Sequence, residues 1–272
     1  MRKKAVFLDI DGTLVDRTGA MPESTKTALL RASENGHEIV LCTGRSMTQL
    51  DMVVKLAPFT GVVCSAGANV RRHGEVVWRG AMPEEQVAHM VSYFRDNKMT
   101  YFLQAESGIY AEQWCVDNMA KAFAALGRSA EEAAAVFGAT IVREDTERVP
   151  YIEKCCYFQC DLPADEVQAG LGPAFDVVDS SFKVSRFCDG EVCRAGVNKA
   201  SGMARYLEAA GIPHEDCIAF GDGPNDFEML EYAAVGVCMG NGVDALKKVA
   251  DRVCGDIHED GLYNEFKALG LI

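Results

Sequence analysis

Asp9-Ile10-Asp11-Gly12-Thr13-Leu14-Val15 follows directly on the apolar run Ala5-Val6-Phe7-Leu8. A short apolar run that stops in acidic residues and glycine reads as a buried strand, Lys4 to Ile10, that ends in a loop. In open parallel sheets ligands lie beyond the carboxyl ends of the strands, so what each strand ends in is informative. Two aspartates two residues apart at such an exit would crowd their charges unless something positive neutralised them. A turn or helix-cap role accounts for one of the pair and not for both.

The segments around this stretch set the architecture. Pro22 opens a helix through Leu29, Leu30 and Ala32 that closes at Gly36. His37 to Cys42 and Gly61 to Cys64 are further apolar runs, with a helical pattern expected over Ser46 to Leu56. Strands alternating with helices imply a parallel sheet with crossover helices, a doubly wound Rossmann-like α/β core. The pattern then changes. Val70 to Trp78 reads as a hairpin turning at His73-Gly74, and Pro83 to Asn97 as an amphipathic helix. Alternating runs follow at Tyr101 to Gln104, Ile109 to Glu112, Tyr151 to Cys160 and Phe182 to Phe187, with alanine-rich helices around Val116 to Leu126 and Ala130 to Phe137. From Asn198 the strand–helix alternation returns. The expected organisation is a core from residues 1–82 and 193–272, with an α+β domain inserted at 83–192.

The other strand exits carry chemistry of the same kind. The second ends in Cys42-Thr43-Gly44-Arg45, where a hydroxyl and nearby backbone N–H groups suit a phosphate. A later one ends in Gly221-Asp222-Gly223-Pro224-Asn225-Asp226, which brings two more carboxylates to the same edge. Lys199 opens a helix after Asn198. Taken singly, each is a turn, a cap or a solvated lysine. Together they place carboxylates, a hydroxyl and an ammonium on one sheet edge. Clustered carboxylates bind Mg2+, which prefers oxygen ligands, and Mg2+ with Lys and Thr forms an electrophilic clamp for a phosphoryl group.

With its DxDGT(L) motif at Asp9, TGR at Thr43, the Asn198-Lys199 lysine, GDGPND at Gly221 and Asp260-Gly261 before the last helix, the chain resembles the haloacid dehalogenase superfamily. Within it, it resembles the Cof-type, subfamily IIB phosphatases, whose large α/β (C2-type) cap is inserted after the third core strand. That resemblance implies an Mg2+-dependent phosphatase acting on small phosphorylated metabolites, sugar or cofactor phosphates, through an aspartyl-phosphate. It makes Asp9 the nucleophile and Asp11 the general acid and base. Mg2+ would be held by the Asp9 and Asp222 side chains and the Asp11 backbone carbonyl. Thr43, Gly44, Lys199 and Asn225 would bind the phosphate, and Asp226 would orient Lys199 or a metal-bound water. The cap would select the substrate by closing over the site, with Arg45 and Arg186 as candidates for a further substrate contact or as plain surface arginines. Such proteins usually carry an Asn-Gly-Ala turn after the third strand; here the segment is Ser65-Ala66-Gly67-Ala68-Asn69, and the pocket amide is absent at Ala66. A phosphomutase on the same scaffold, and a phosphometabolite-binding regulator without turnover, are the alternatives.

Composition bounds these readings. Of 272 residues, 49% are apolar and 25% charged, ordinary values for a folded globular chain. Acidic residues outnumber basic ones 40 to 27, a net charge of -13 that disfavours nucleic acid and anionic membrane as partners while leaving a small anionic substrate open. The basic start Met1-Arg2-Lys3-Lys4 resembles a signal peptide, but Asp9 and Asp11 cut its apolar run short. The eleven cysteines are scattered without a CxxC pair, which suits buried thiols in a reducing compartment. A cytoplasmic monomer or homodimer is the expectation.

Overall fold

The computed structural model describes residues 2–129, 131–132, 139–179 and 188–272. The expected helix at 130–137 falls largely outside them, and the expected strand at 182–187, with Arg186, entirely so. The chain begins β1 (Ala5–Leu8), α1 (Glu23–Glu34), β2 (Glu38–Cys42), β3 (Gly61–Cys64), β4 (Asn69–Arg72) and β5 (Glu75–Arg79). It continues α2 (Glu84–Asp96), β6 (Thr100–Ala105), β7 (Gly108–Ala111), α3 (Gln113–Ala125), β8 (Thr140–Val142), β9 (Lys154–Cys160), α4 (Ala164–Leu171), β10 (Phe175–Asp179) and β11 (Cys188–Arg194). It ends α5 (Lys199–Ala210), β12 (Cys217–Gly221), α6 (Phe227–Tyr232), β13 (Val235–Cys238), α7 (Asp244–Val249), β14 (Arg252–Val253) and α8 (Gly261–Ala268). Two compact units result: Met1–Arg79 with Asn198–Ile272, and Gly80–Val197.

The first unit is built on an eight-stranded sheet in the order β14-β13-β12-β1-β2-β3-β4-β5. All neighbours from β14 to β3 are parallel, and β4 and β5 add an antiparallel hairpin at the edge. The central strands are apolar on both sides because both faces are covered. Val6, Leu8, Ile39 and Leu41 pack with Leu29 of α1 and Phe266 of α8. Their alternating neighbours Ala5, Phe7, Val40 and Cys42 pack with Met203 and Tyr206 of α5 and Met229 of α6. The chain steps from β1 outward through β2 and β3 in one direction and from β12 through β13 and β14 in the other. The reversal lies at β1, which puts the first aspartates at the crevice where ligands bind such sheets.

The helix expected over Ser46 to Leu56 does not form. Met47–Gln49 and Val53–Lys55 are instead two separate 3-10 turns. Ser46 and Gln49 close a capping box on a single turn, and Thr48, Val53 and Val54 are β-branched residues that support a longer helix poorly.

At the opposite, amino-terminal end of the sheet, Glu38 is a buried anchor. It accepts hydrogen bonds from Arg72 Nη2 at 2.6 Å, Lys3 Nζ at 2.5 Å and Tyr206 Oη at 2.5 Å. Burial by itself would push its carboxyl up, but the bonds from Arg72, Lys3 and Tyr206 outweigh it and hold the group at about 2. All three partners present only hydrogens to it.

The second unit carries a sheet of six described strands, β10-β11-β9-β6-β7-β8. Tyr101, Leu103, Tyr157 and Val192 of the sheet share one core with Phe94 of α2, Phe123 of α3 and Val167 of α4. This is an α+β arrangement inserted into an α/β one. No described helix is long and apolar enough to cross a membrane.

Glu38→Gln turns one acceptor oxygen into a donor facing Arg72, Lys3 and Tyr206, so the variant is expected to lose about 3 kcal/mol or more at neutral pH. A carboxyl depressed in the fold stabilises above its ordinary 4.5 and loses that contribution as pH falls toward about 2. In thermal melts, the gap between parent and variant should therefore be full at pH 7 and shrink below pH 4.5. A gap independent of pH would contradict the assignment.

Candidate active site

Five strand ends deliver side chains to one edge of the first sheet. β1 leads into Asp9, whose amide continues the ladder by donating to Phe220 O at 3.0 Å. β12 leads into Asp222, β2 into Thr43, β3 into Ser65, and β13 into Gly240-Asn241. α5 begins at Lys199, and its start is fixed by Asn198, whose side chain accepts from Ser201 N.

Lys199 is buried and lies between two carboxylates. Its Nζ donates to Asp9 Oδ1 and to Asp226 Oδ1, each at 2.6 Å. Asp226 uses its other oxygen on the backbone, accepting from Asp222 N and Gly223 N at 2.9 Å each. Asp222 Oδ1 accepts from Thr13 Oγ1 at 2.9 Å. Gly12, with a φ of +92°, passes so close that a Cβ there would overlap the Asp222 carboxylate. Glycine is needed at that position for its backbone and for the space.

Carboxylate oxygens of Asp9, Asp222 and Asp226 lie within 4.8 Å of one another. Lys199 is the cation bonded to them among the described residues. Burial pushes Asp9 up to about 7; Lys199 pulls the other way, and the neighbouring Asp226 and Asp222 add to the rise. Asp222 is raised to about 6, by burial first and by Asp226 next. Lys199 is pushed upward by Asp226 and Asp9 despite its burial, so it stays an ammonium. The cluster thus has more negative charge than its own lysine compensates. An all-oxygen set with surplus charge fits a hard divalent cation such as Mg2+. Asp226 is a poor ligand within it, because both of its oxygens already serve Lys199 and the Gly221–Gly223 turn.

Other residues singled out in the sequence fall around this cluster. Thr43 is buried, and its Oγ1 accepts from Arg45 N at 3.2 Å. Gly44 lies in the same bend. Asn225 sits in the 3-10 turn Pro224–Asp226. The Asp11 side chain is not among the clustered carboxylates. It is 60% exposed and engages Arg45, whose Nε donates to Asp11 Oδ2 at 2.9 Å while Nη2 donates to Oδ1. Arg45, open in the sequence between a substrate contact and a plain surface residue, is here the partner of Asp11.

Two contributors escaped the sequence reading. Thr13 lies within the first motif and holds Asp222. Asn241 donates from Nδ2 to Gly12 O at 2.7 Å and accepts Ile257 N at 3.0 Å, tying the first loop to the one before α8. Its signal was available: Gly240-Asn241-Gly242 is another glycine-flanked polar residue at the exit of a core strand.

A doubly wound α/β unit with acidic strand exits around a buried lysine, interrupted by an α+β unit, defines a class of phosphoryl-handling hydrolases. The family model for haloacid dehalogenase-like hydrolases matches residues 6–266, and the chain belongs to that family, as a Cof-type phosphatase. It is 28% identical over 267 residues to the 5-amino-6-(5-phospho-D-ribitylamino)uracil phosphatase YitU of Bacillus subtilis, covering 94% of each chain. It is 27% identical over 282 residues to the pyridoxal phosphate phosphatase YbhA of Escherichia coli, covering 96% of this chain and 97% of that one. The solved subclass IIB sugar phosphatase BT4131 superposes with a TM-score of 0.77 at 26% identity, over 99% of this chain and 100% of the other.

A carboxyl whose value is raised in the fold favours the folded state at low pH and loses that contribution as pH climbs through the raised value. In chelator, Asp9 and Asp222 should therefore cost stability progressively between about pH 4 and pH 7. Asp222→Asn keeps the acceptor for Thr13 but removes a charge. Its melting temperature relative to the parent is expected to rise as pH goes from 4 to 7. A relative stability that falls over that range would refute the charge surplus.

Proposed function

We propose that the chain hydrolyses small phosphate monoesters by passing the phosphoryl group through Asp9, with Mg2+ as the required metal. The observation that carries this is the buried Lys199 held between Asp9 and Asp226, with Asp222 beside them, at the carboxyl edge of the parallel sheet.

An ionised carboxylate is a nucleophile without a base to activate it. An Asp9 oxygen attacks phosphorus, the bond to the leaving oxygen breaks, and Asp11 delivers a proton to that oxygen. Water then attacks the aspartyl-phosphate and gives a proton to Asp11. The bond between phosphorus and Asp9 breaks, and inorganic phosphate departs. Lys199, Thr43, Gly44 and Asn225 would hold phosphate oxygens. Asp226 would keep Lys199 aimed at Asp9 and hold the Asp222 loop by its amides. Asp9, Asp222 and the Asp11 carbonyl would hold the Mg2+, which when bound offsets charge on the phosphoryl oxygens. The first unit would be the catalytic core and the inserted unit the cap that selects the substrate. The relatives named for 5-amino-6-(5-phospho-D-ribitylamino)uracil and for pyridoxal phosphate, and the solved sugar phosphatase, support a cofactor or sugar phosphate as substrate. The protein would work free in the cytoplasm.

Asp9→Asn is expected to abolish turnover of an aryl phosphate while leaving circular dichroism near normal; near-normal activity would remove Asp9 from the chemistry. Activity should vanish in EDTA and return with Mg2+. Mg2+ should also raise the melting temperature of the parent more than that of Asp222→Asn. Full turnover in chelator would overturn the metal assignment.

A further inference from the structure

The Asp11–Arg45 pair calls for an explanation that stability does not supply. Asp11 is 60% exposed and Arg45 33% exposed, and ion pairs in such settings typically contribute ~0–1 kcal/mol. What a two-pronged guanidinium–carboxylate contact does supply is direction, because both oxygens are fixed in one plane. Among the described residues, Arg45 is the side-chain partner of Asp11. Without it the carboxylate would be a solvated group free to change rotamer.

Arg45 is itself held at the backbone. Its N–H donates to Thr43 Oγ1 at 3.2 Å, and its carbonyl accepts Ser65 N at 2.8 Å. Asp11 is fixed on its own side by a bridge to Val15 and by Gly12 N donating to Val15 O at 2.8 Å. Two rigid turns, one after β1 and one after β2, are thus joined through a planar contact. Arg45 has committed Nε and Nη2 to Asp11, the pair of nitrogens that would otherwise fork onto a phosphate.

We propose that Arg45 is a positioning residue that acts through Asp11, holding its carboxylate in a single orientation for proton delivery to the leaving oxygen. This rests on the phosphatase reading above. Lysine is a poor substitute, since an ammonium is a point charge on a flexible stem and lacks the fork.

The test compares the parent, Arg45→Ala, Arg45→Lys, Asp11→Asn and the double variant Asp11→Asn/Arg45→Ala, all with Mg2+. Single-turnover rates are read with an aryl phosphate and with a hexose phosphate. Acid–base help is typically worth ~10^2 to 10^4-fold, and it matters most for the poor leaving group. Arg45→Ala is expected to slow the hexose phosphate by ~10-fold or more, with KM little changed and the aryl phosphate largely spared. Arg45→Lys should recover part of the loss. In the Asp11→Asn background, Arg45→Ala should have no further effect. A crystal structure of Arg45→Ala should show the Asp11 carboxylate spread over rotamers. A loss that persists undiminished in the Asp11→Asn background, an equal loss on both substrates, a loss confined to KM, or an Asp11 unmoved in the variant structure would each overturn the proposal. Failure of the underlying phosphatase reading shows separately, as undiminished turnover by Asp9→Asn.

Discussion

A lysine ammonium buried between two carboxylates is the interaction on which the site depends. Removing an ion from water costs several kcal/mol, and the attraction between partners offsets this only when the contacts are short and the remaining valences are filled. The contacts at Lys199 are short, 2.6 Å to both Asp9 and Asp226, and the second oxygen of Asp226 is taken by two backbone amides. The same triad joins positions 190 residues apart in the chain. Asp9 follows the first strand, whereas Lys199 starts the first helix after the inserted unit. The site therefore cannot form from either half of the core alone, and its integrity requires β1, α5 and β12 to be docked together.

Most of this was legible in the sequence for a topological reason. In a doubly wound sheet every parallel strand points its carboxyl end to the same edge, so acidic, hydroxyl and lysine residues just past apolar runs must converge whatever lies between them. Asp9, Thr43, Asp222 and Asp226 follow that rule, whereas Lys199 opens a helix after the inserted unit and is marked by the Asn198-Lys199 pair of the family resemblance. What it did not supply is which way a side chain turns. Asp11 lies two residues from Asp9, yet it points to Arg45 and not to the cluster, a choice made by a residue 34 positions away. Thr13 acts through a hydrogen bond to Asp222 that neither composition nor periodicity marks, whereas Asn241, bonded to Gly12 and Ile257, is marked only by its glycine-flanked place at a strand exit. The segment from Ser46 to Leu56 had helical spacing of its apolar residues, but a capping box closed on one turn and β-branched residues stopped propagation. Local chemistry there overrode the periodic pattern.

The inserted unit was legible as α+β and no further. Alternation marks β6, β7 and β9 but not β8, β10 or β11, and the order β10-β11-β9-β6-β7-β8 depends on pairings between distant segments. The candidate site is thus written in short motifs, whereas the pairing of the inserted sheet is dispersed over distant segments.

The turn after β3 shows how the family's shape survives a change of residue. Ser65 and Ala66 both take left-handed backbone, with φ of 50° and 53°, and Gly67 follows at 100°. Left-handed backbone costs a residue with a Cβ roughly 1–2 kcal/mol, and asparagine bears it better than alanine, which suits the amide usual at such turns. Alanine is kept in this conformation by its surroundings. Ser65 N donates to Arg45 O, and Ala66 N donates to Thr43 O at 3.1 Å. Gly67 lies so near the Asn198 carbonyl that a Cβ there would overlap it. The strained turn is therefore the joint between the Thr43–Arg45 loop and the start of α5, which carries Lys199. Strain of this kind persists only where the surroundings over-determine it. The backbone bonds that accompany it are made to Thr43 and Arg45, and the close approach of Gly67 to Asn198 packs the turn against the start of α5. The side chain at position 66 takes no part in those backbone bonds, so an amide or a methyl there leaves them intact.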